Sequence, residues 1–208
     1  MRVFRIDTLT KPPQSRFPHY ANLVAEDAVW RAIGDGGDFH GEPFDKWKEK
    51  TFRIEKLLFP KPNFFNIGPT AFVCDERARE LAAEPLEMSG ELLPIRVEGE
   101  KGKFWIYNCT NCINAVDAKK SRYWKFGPGP DERQMDRPAF FASRFGEESV
   151  FKIPEDRATL VYCVERTGDP DDGEFKAVVE SNGLTGLKFE MVWTDETAPV
   201  SRGKGRKM

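Results

Sequence analysis

Four cysteines and two histidines are all that this 208-residue chain offers to soft metals, disulfides or imidazole chemistry. A secreted disulfide framework needs more cysteines at closer spacing, so the expected state is reduced thiols. Long apolar runs are also missing. No stretch approaches the about eighteen apolar residues that signal a membrane span. The start, MRVFRIDTLTKPPQSR, carries charge within its first five residues and lacks an apolar signal-peptide region. The expectation is a cytoplasmic protein without membrane association. No charge of one sign dominates either: 32 basic and 34 acidic residues are interspersed, for a formal charge of −2. Without a long-range field of one sign, nucleic acid is not an expected partner.

Aromatic mass is what the chain does have. Seventeen Phe and five Trp in a chain of this length suffice for one well-filled core. VFRID at 3–7 alternates apolar with polar residues, as a short strand does. AEDAVWRAI at 25–33 places Ala28, Val29, Ala32 and Ile33 on one side of a short helix, and GDGGDFHGEPFDKW after it reads as loop. That loop lacks both the Lys-Ser/Thr of a phosphate loop and the closing Glu of a calcium loop.

Asp75 is placed to cap a helix over RARELAAE, which Pro85 is expected to stop. LLPIRV, EGEKGK and FWIYNC read as strand, turn and strand of a β-hairpin. SRYWKFGPGPDERQMDRP at 121–138 reads as a long surface loop. VFKIPED and ATLVYCVE are expected strands, and the unbroken LVYCV suits a central one. GEFKAVVESNG has Phe175, Val178 and Val179 at helical spacing and Gly183 where a left-handed cap belongs. LKFEMVW closes the fold as a strand. The predicted class is α+β, a mostly antiparallel sheet with a few short helices packed against it. Residues 1–70 are read as a strand, short helix and loops of the same unit, 71–195 as the α+β core, and 196–208 as a flexible basic tail.

YNCTNCINAVD at 107–117 poses the chemical question. Cys109 and Cys112 form a Cys-x-x-Cys pair, but a structural zinc site needs a second pair, and Cys74 and Cys163 stand singly in apolar runs. A redox pair needs its first cysteine at a helix N-terminus within a βαβ unit, and no such unit surrounds it. The cysteines therefore read as small buried thiols. Asn108, Asn111 and Asp117 read as residues that cap a strand-to-helix turn by bonding main-chain amides. Two histidines, His19 and His40, in loop-like sequence do not support a nucleophilic triad. No cofactor is called for.

Three motifs carry a resemblance. Cys74 to Pro94 runs as cysteine, acid, base, helix and then Gly-Glu-Leu-Leu-Pro; an aromatic strand leads into Asn108, Asn111, Asn114, Ala115, Asp117 and Ser121; and Phe175, Val179, Gly183, Leu184, Thr185, Gly186, Leu187 and Phe189 close the series. Their order resembles an immunity-protein family of bacterial polymorphic toxin systems, immunity protein family eleven, over roughly Phe72 to Trp193. Relatives there carry small or apolar residues at the positions of Cys109 and Cys112, and an acidic residue near Asn114. The resemblance implies a non-enzymatic protein whose partner is a cognate toxin. Binding would then need aromatic anchors inside a polar rim. The candidates are Trp30, Phe39, Phe44, Trp47, Tyr123, Trp124 and Phe126, each of which could instead pack beneath its own loop. Two other functions compete: a small zinc-binding or thiol-dependent enzyme using Cys109 and Cys112, and an interaction module of a secretion-associated complex.

Overall fold

The computed structural model describes residues 1–8, 21–24, 39–57, 60–125, 133–156 and 158–196. Over these, the elements in chain order are β1 (Arg2–Thr8), β2 (Ala21–Val24), β3 (Lys50–Leu57), β4 (Phe64–Asn66), β5 (Phe72–Asp75), α1 (Glu76–Glu87), β6 (Gly90–Val97) and β7 (Phe104–Cys109). They continue with β8 (Arg122–Lys125), β9 (Arg133–Arg137), β10 (Val150–Phe151), β11 (Val161–Glu165), α2 (Phe175–Ser181) and β12 (Leu187–Thr194). The class is α+β and dominated by sheet. The helix expected over 25–33 and the tail from 197 onward lie outside the described residues.

Six strands close a barrel in the order β2-β3-β6-β7-β5-β4, and four form a sheet in the order β10-β11-β1-β12. Antiparallel pairing prevails, but β3 with β6 and β2 with β4 are parallel. Alternation explains how each strand serves two cores. Val73, Phe104 and Ile106 point into the barrel among Phe52, Phe65, Leu93 and Ile95. Phe72, Cys74, Tyr107 and Cys109 point outward and meet Phe4, Ile6, Val161 and Cys163 of the sheet, with α1 and α2 joining this second cluster. The opposite face of the sheet presents Val3, Tyr162 and Val164 to a third cluster with Ala115, Val116 and Phe140. Burial on both faces is why LVYCV is unbroken, and β11 is an internal strand. Burying each of these phenylalanines contributes on the order of 2 kcal/mol.

Asp75 caps α1 through Oδ1, which accepts from the Ala78 amide at 2.8 Å. Pro85, expected to stop the helix, lies inside it, and α1 runs to Glu87. Ala82 leaves helical geometry at φ −114°, ψ 16°. Pro85 thus falls in the first turn of the second helical segment, where no amide proton is required. At the far end of α2, Gly183 takes φ +60°, and Leu184 N donates to Val179 O at 2.9 Å. The next turn joins the two sheets. Asn63 and Phe64 amides donate to Thr185 O at 3.0 and 2.9 Å, and Gly186 at φ +108° lets the chain approach the Phe64 carbonyl so closely that a Cβ would overlap it.

The stretch expected to be a long loop at 121–138 contains instead a two-stranded antiparallel hairpin, β8 with β9. Tyr123 pairs with Met135 and Trp124 with Gln134 in its register. The mixed charge and bulge at Arg122/Tyr123 mask its alternation in the sequence.

Candidate functional site

Strand β7 ends at Asn108 and Cys109, and the chain from 110 to 121 has no helix. Two single bridges, Cys112 with Lys152 and Val116 with Phe140, tie it to its neighbours. The strand-to-helix turn expected here is therefore absent, and the polar residues do different work. Asn108 is buried and donates from Nδ2 to Glu42 O at 2.8 Å and to the Glu91 carboxylate at 2.9 Å. Glu91 also accepts from the Phe44 amide at 2.9 Å, so the Asn108–Glu91 pair straps residues 42–44 to the barrel. Asn111 donates to Val150 O at 3.0 Å and fixes the chain to β10. Only Asp117 accepts main-chain amides, those of Lys119 at 3.1 Å and Lys120 at 3.3 Å. Ser121 completes that clamp: Oγ donates to Asp117 O at 2.8 Å and accepts from Ala139 N at 2.9 Å. The clamp closes at the base of the β8–β9 hairpin.

Cys109 is buried, whereas Cys112 is exposed, which corrects the reading of both as buried thiols. Burial pushes the Cys109 thiol up to about 11. Burial, then Asp156, also raises the Cys112 thiol. Nucleophilic and metal-binding cysteines need the thiolate, so both shifts run against such chemistry. Among the described residues, no three His, Cys, Asp or Glu side chains group as metal ligands.

Lys152 is the most perturbed cation of the neighbourhood. It has no exposed surface, and its Nζ donates to the carbonyls of Phe39 and, at 2.8 Å, Thr70. Burial lowers its pKa to about 8. Nearby, burial pushes the Asp156 carboxyl up to about 6, although Tyr162 Oη donates to it at 3.0 Å. Shifts of this kind mark catalytic groups when they line a cleft. Here the amine is spent on two carbonyls and braces the segment at Phe39 and the turn at Thr70 against β10. The cleft of ≈ 400 Å³ near Arg166 and Glu174 and that of ≈ 360 Å³ near Lys61 and Glu80 do not include it.

The aromatic candidates separate. Phe39 is 1% exposed and packs edge-on against Phe44 at 5.5 Å, so it belongs to the barrel core and cannot anchor a partner. Phe44 meets Trp47 edge-on at 5.3 Å, and Trp47 Nε1 donates to Pro94 O at 2.8 Å; both are half-buried. Tyr123 is half-buried and Trp124 is 59% exposed. Trp30 and Phe126 lie outside the described residues.

Sequence reasoning passed over Lys152, Glu91 and Glu174. In the sequence each resembles a solvated surface charge. Glu174, also buried, accepts from the amides of Arg166 at 2.6 Å, Thr167 at 3.1 Å and Gly168 at 2.8 Å. The signal for it was the Thr-Gly-Asp-Pro turn, whose exposed amides invite an acceptor.

The chain matches no family model, and no characterised protein matches it in sequence.

Proposed function

We propose that the chain is an immunity protein that binds and neutralises a cognate bacterial toxin domain in the cytoplasm and catalyses no reaction itself. The observation that carries this reading is where the motif residues are spent. Asp75 caps a helix, Asn108 and Asn111 strap neighbouring segments, Asp117 and Ser121 clamp a hairpin, and Gly186 lets two sheets touch. Each motif of the resemblance thus maintains a scaffold. Raised thiols at Cys109 and Cys112 and a Lys152 held by carbonyls are poorly suited to turnover. A rigid frame whose motif residues are spent on internal contacts suits recognition through surface shape and charge.

Co-expression tests the reading. Cells poisoned by the product of the adjacent reading frame are expected to survive when this chain is supplied, and the two proteins are expected to co-purify at equal stoichiometry. Continued poisoning together with failure to co-purify overturns it.

A further inference from the structure

We infer that this chain pairs with a second copy of itself along the outer edge of β12, which joins the two four-stranded sheets across a two-fold axis. The inference goes beyond the immunity reading and does not depend on it. A sheet edge carries unpaired N–H and C=O groups that template another strand. The barrel closes on itself and leaves no such edge. In the four-stranded sheet one edge is β10, two residues long, and the other is β12, eight residues long. Among the described residues β12 pairs with β1 alone. Alternate residues of β12 therefore turn their main-chain groups away from β1.

Charge fixes the register of self-pairing. The register with β1 skips Val192, so the regular part of β12 runs from Leu187 to Met191 with Phe189 at its centre. Antiparallel pairing of this part about Phe189 sets Lys188 opposite the partner's Glu190, and Glu190 opposite the partner's Lys188. Moving the axis by one residue either way would set lysine against lysine or glutamate against glutamate. Strand β1 extends the pattern, because Arg5 stands opposite Glu190 and Asp7 opposite Lys188. Each row across the joined sheet then reads Arg5, Glu190, the partner's Lys188, the partner's Asp7, and the sign alternates at every step. Half of each row is already in contact within one chain. The Arg5 guanidinium lies 3.0 Å from Asp7 and 3.1 Å from Glu190, and Lys188 Nζ lies 3.3 Å from Glu190. The Lys188 and Glu190 side chains remain 57% and 45% exposed, which leaves each of them surface for a partner.

The other face of the edge supplies apolar area. Leu187 and Phe189 pack partly buried on the second cluster, whereas Met191, opposite Phe4 in the register, is 56% exposed. In the pair centred on Phe189, Met191 meets the partner's Leu187 on either side of the axis. Lysines and bulges on an edge strand also serve to discourage association. A lysine alone repels its own copy; here a glutamate stands two residues on, so the edge is complementary to itself, as a two-fold interface must be.

Sedimentation velocity on the full chain tests this between about 1 µM and about 100 µM, the range in which a small interface dissociates. The unaltered chain is expected to pass from monomer to dimer. Lys188→Glu and Glu190→Lys are each expected to weaken the dimer roughly tenfold or more, because both cross-strand pairs become like-charged. An equal mixture of the two variants is expected to regain it, since every pair is then of opposite charge. Misfolding of one variant would not be cured by the other, so the mixture separates the interface from the fold. Lys101→Glu, an exposed reversal on another turn, should leave the dimer unchanged. A chain that is monomeric throughout overturns the inference, as does a dimer indifferent to both reversals or a mixture no tighter than either variant alone. A monomer whose binding to the product of the adjacent reading frame is lost in both variants gives the edge to that partner and likewise overturns self-pairing. Dimerisation is measured without any toxin, so its failure leaves the immunity reading standing.

Discussion

The Lys152 ammonium donates to the main-chain carbonyl of Phe39, 113 positions away in the chain, and both residues are sealed from solvent. Two neutral carbonyls are weak compensation for a desolvated charge. The depressed pKa of about 8 against the ordinary 10.5 therefore means that the folded protein releases this proton earlier than the unfolded chain. Between those values the unfolded chain binds more protons, so stability rises with pH. Denaturant titrations are expected to show a rise of about 1 kcal/mol between about pH 7.5 and about pH 9 that Lys152→Met lacks. At neutral pH the Met variant is expected to lose about 2 kcal/mol, because two buried carbonyls are left without a donor. A rise of equal size in both proteins would sink this account.

The turn between α2 and β12 makes a steric prediction. At Gly186 a side chain would overlap the Phe64 carbonyl, and φ +108° is itself unfavourable for any residue with a Cβ. Gly186→Ala should cost about 3 kcal/mol of stability. Gly99→Ala, at φ +76° with open space around it, should cost about 1 kcal/mol. Equal losses at the two glycines would remove the packing argument.

Glu174 closes a nest of three successive amides. Glu174→Gln turns one acceptor oxygen into a donor facing a donor, and is expected to cost about 2 kcal/mol. Hydrogen exchange should quicken first at Arg166, Thr167 and Gly168. Unchanged exchange there would contradict the role assigned to the carboxylate.

Thiol labelling separates the cysteines. Of four, Cys112 alone is exposed, so one thiol per native molecule should react with a disulfide reagent and three only on unfolding. Because the Cys112 thiol is raised, its reaction near neutral pH should be slower than that of a free cysteine. Rapid reaction of two thiols would reopen thiol chemistry at the Cys-x-x-Cys pair.

Legibility followed the range of the interactions. Asp75, the β6–β7 turn and Gly183 act within a few residues of themselves, and local chemistry announces them. Pro85 misled because the irregular Ala82 backbone, which makes room for it, has no residue signature. Barrel closure depends on pairing β3 with β6 and β2 with β4, both parallel and distant in sequence. Phe39, after a glycine-rich run, reads either as a partner anchor or as a ring beneath its own loop; it belongs to the barrel interior, and Lys152 donates to its carbonyl. Lys152 sits in FKIPED, where nothing distinguishes a brace from a solvated charge. Of the polar candidates at the site, Asp117 behaves as a turn residue, whereas Asn108 and Asn111 bond partners that no spacing could foretell.

Strand β1 lies between β11 and β12, so once synthesised it finds neither neighbour until residues 161–165 and 187–194 have been made. Its apolar Val3, Phe4 and Ile6 have no sheet partner during most of synthesis. Nascent chains of this protein thus face a waiting period in which chaperone capture competes with misassembly, and it ends only once β12 has docked.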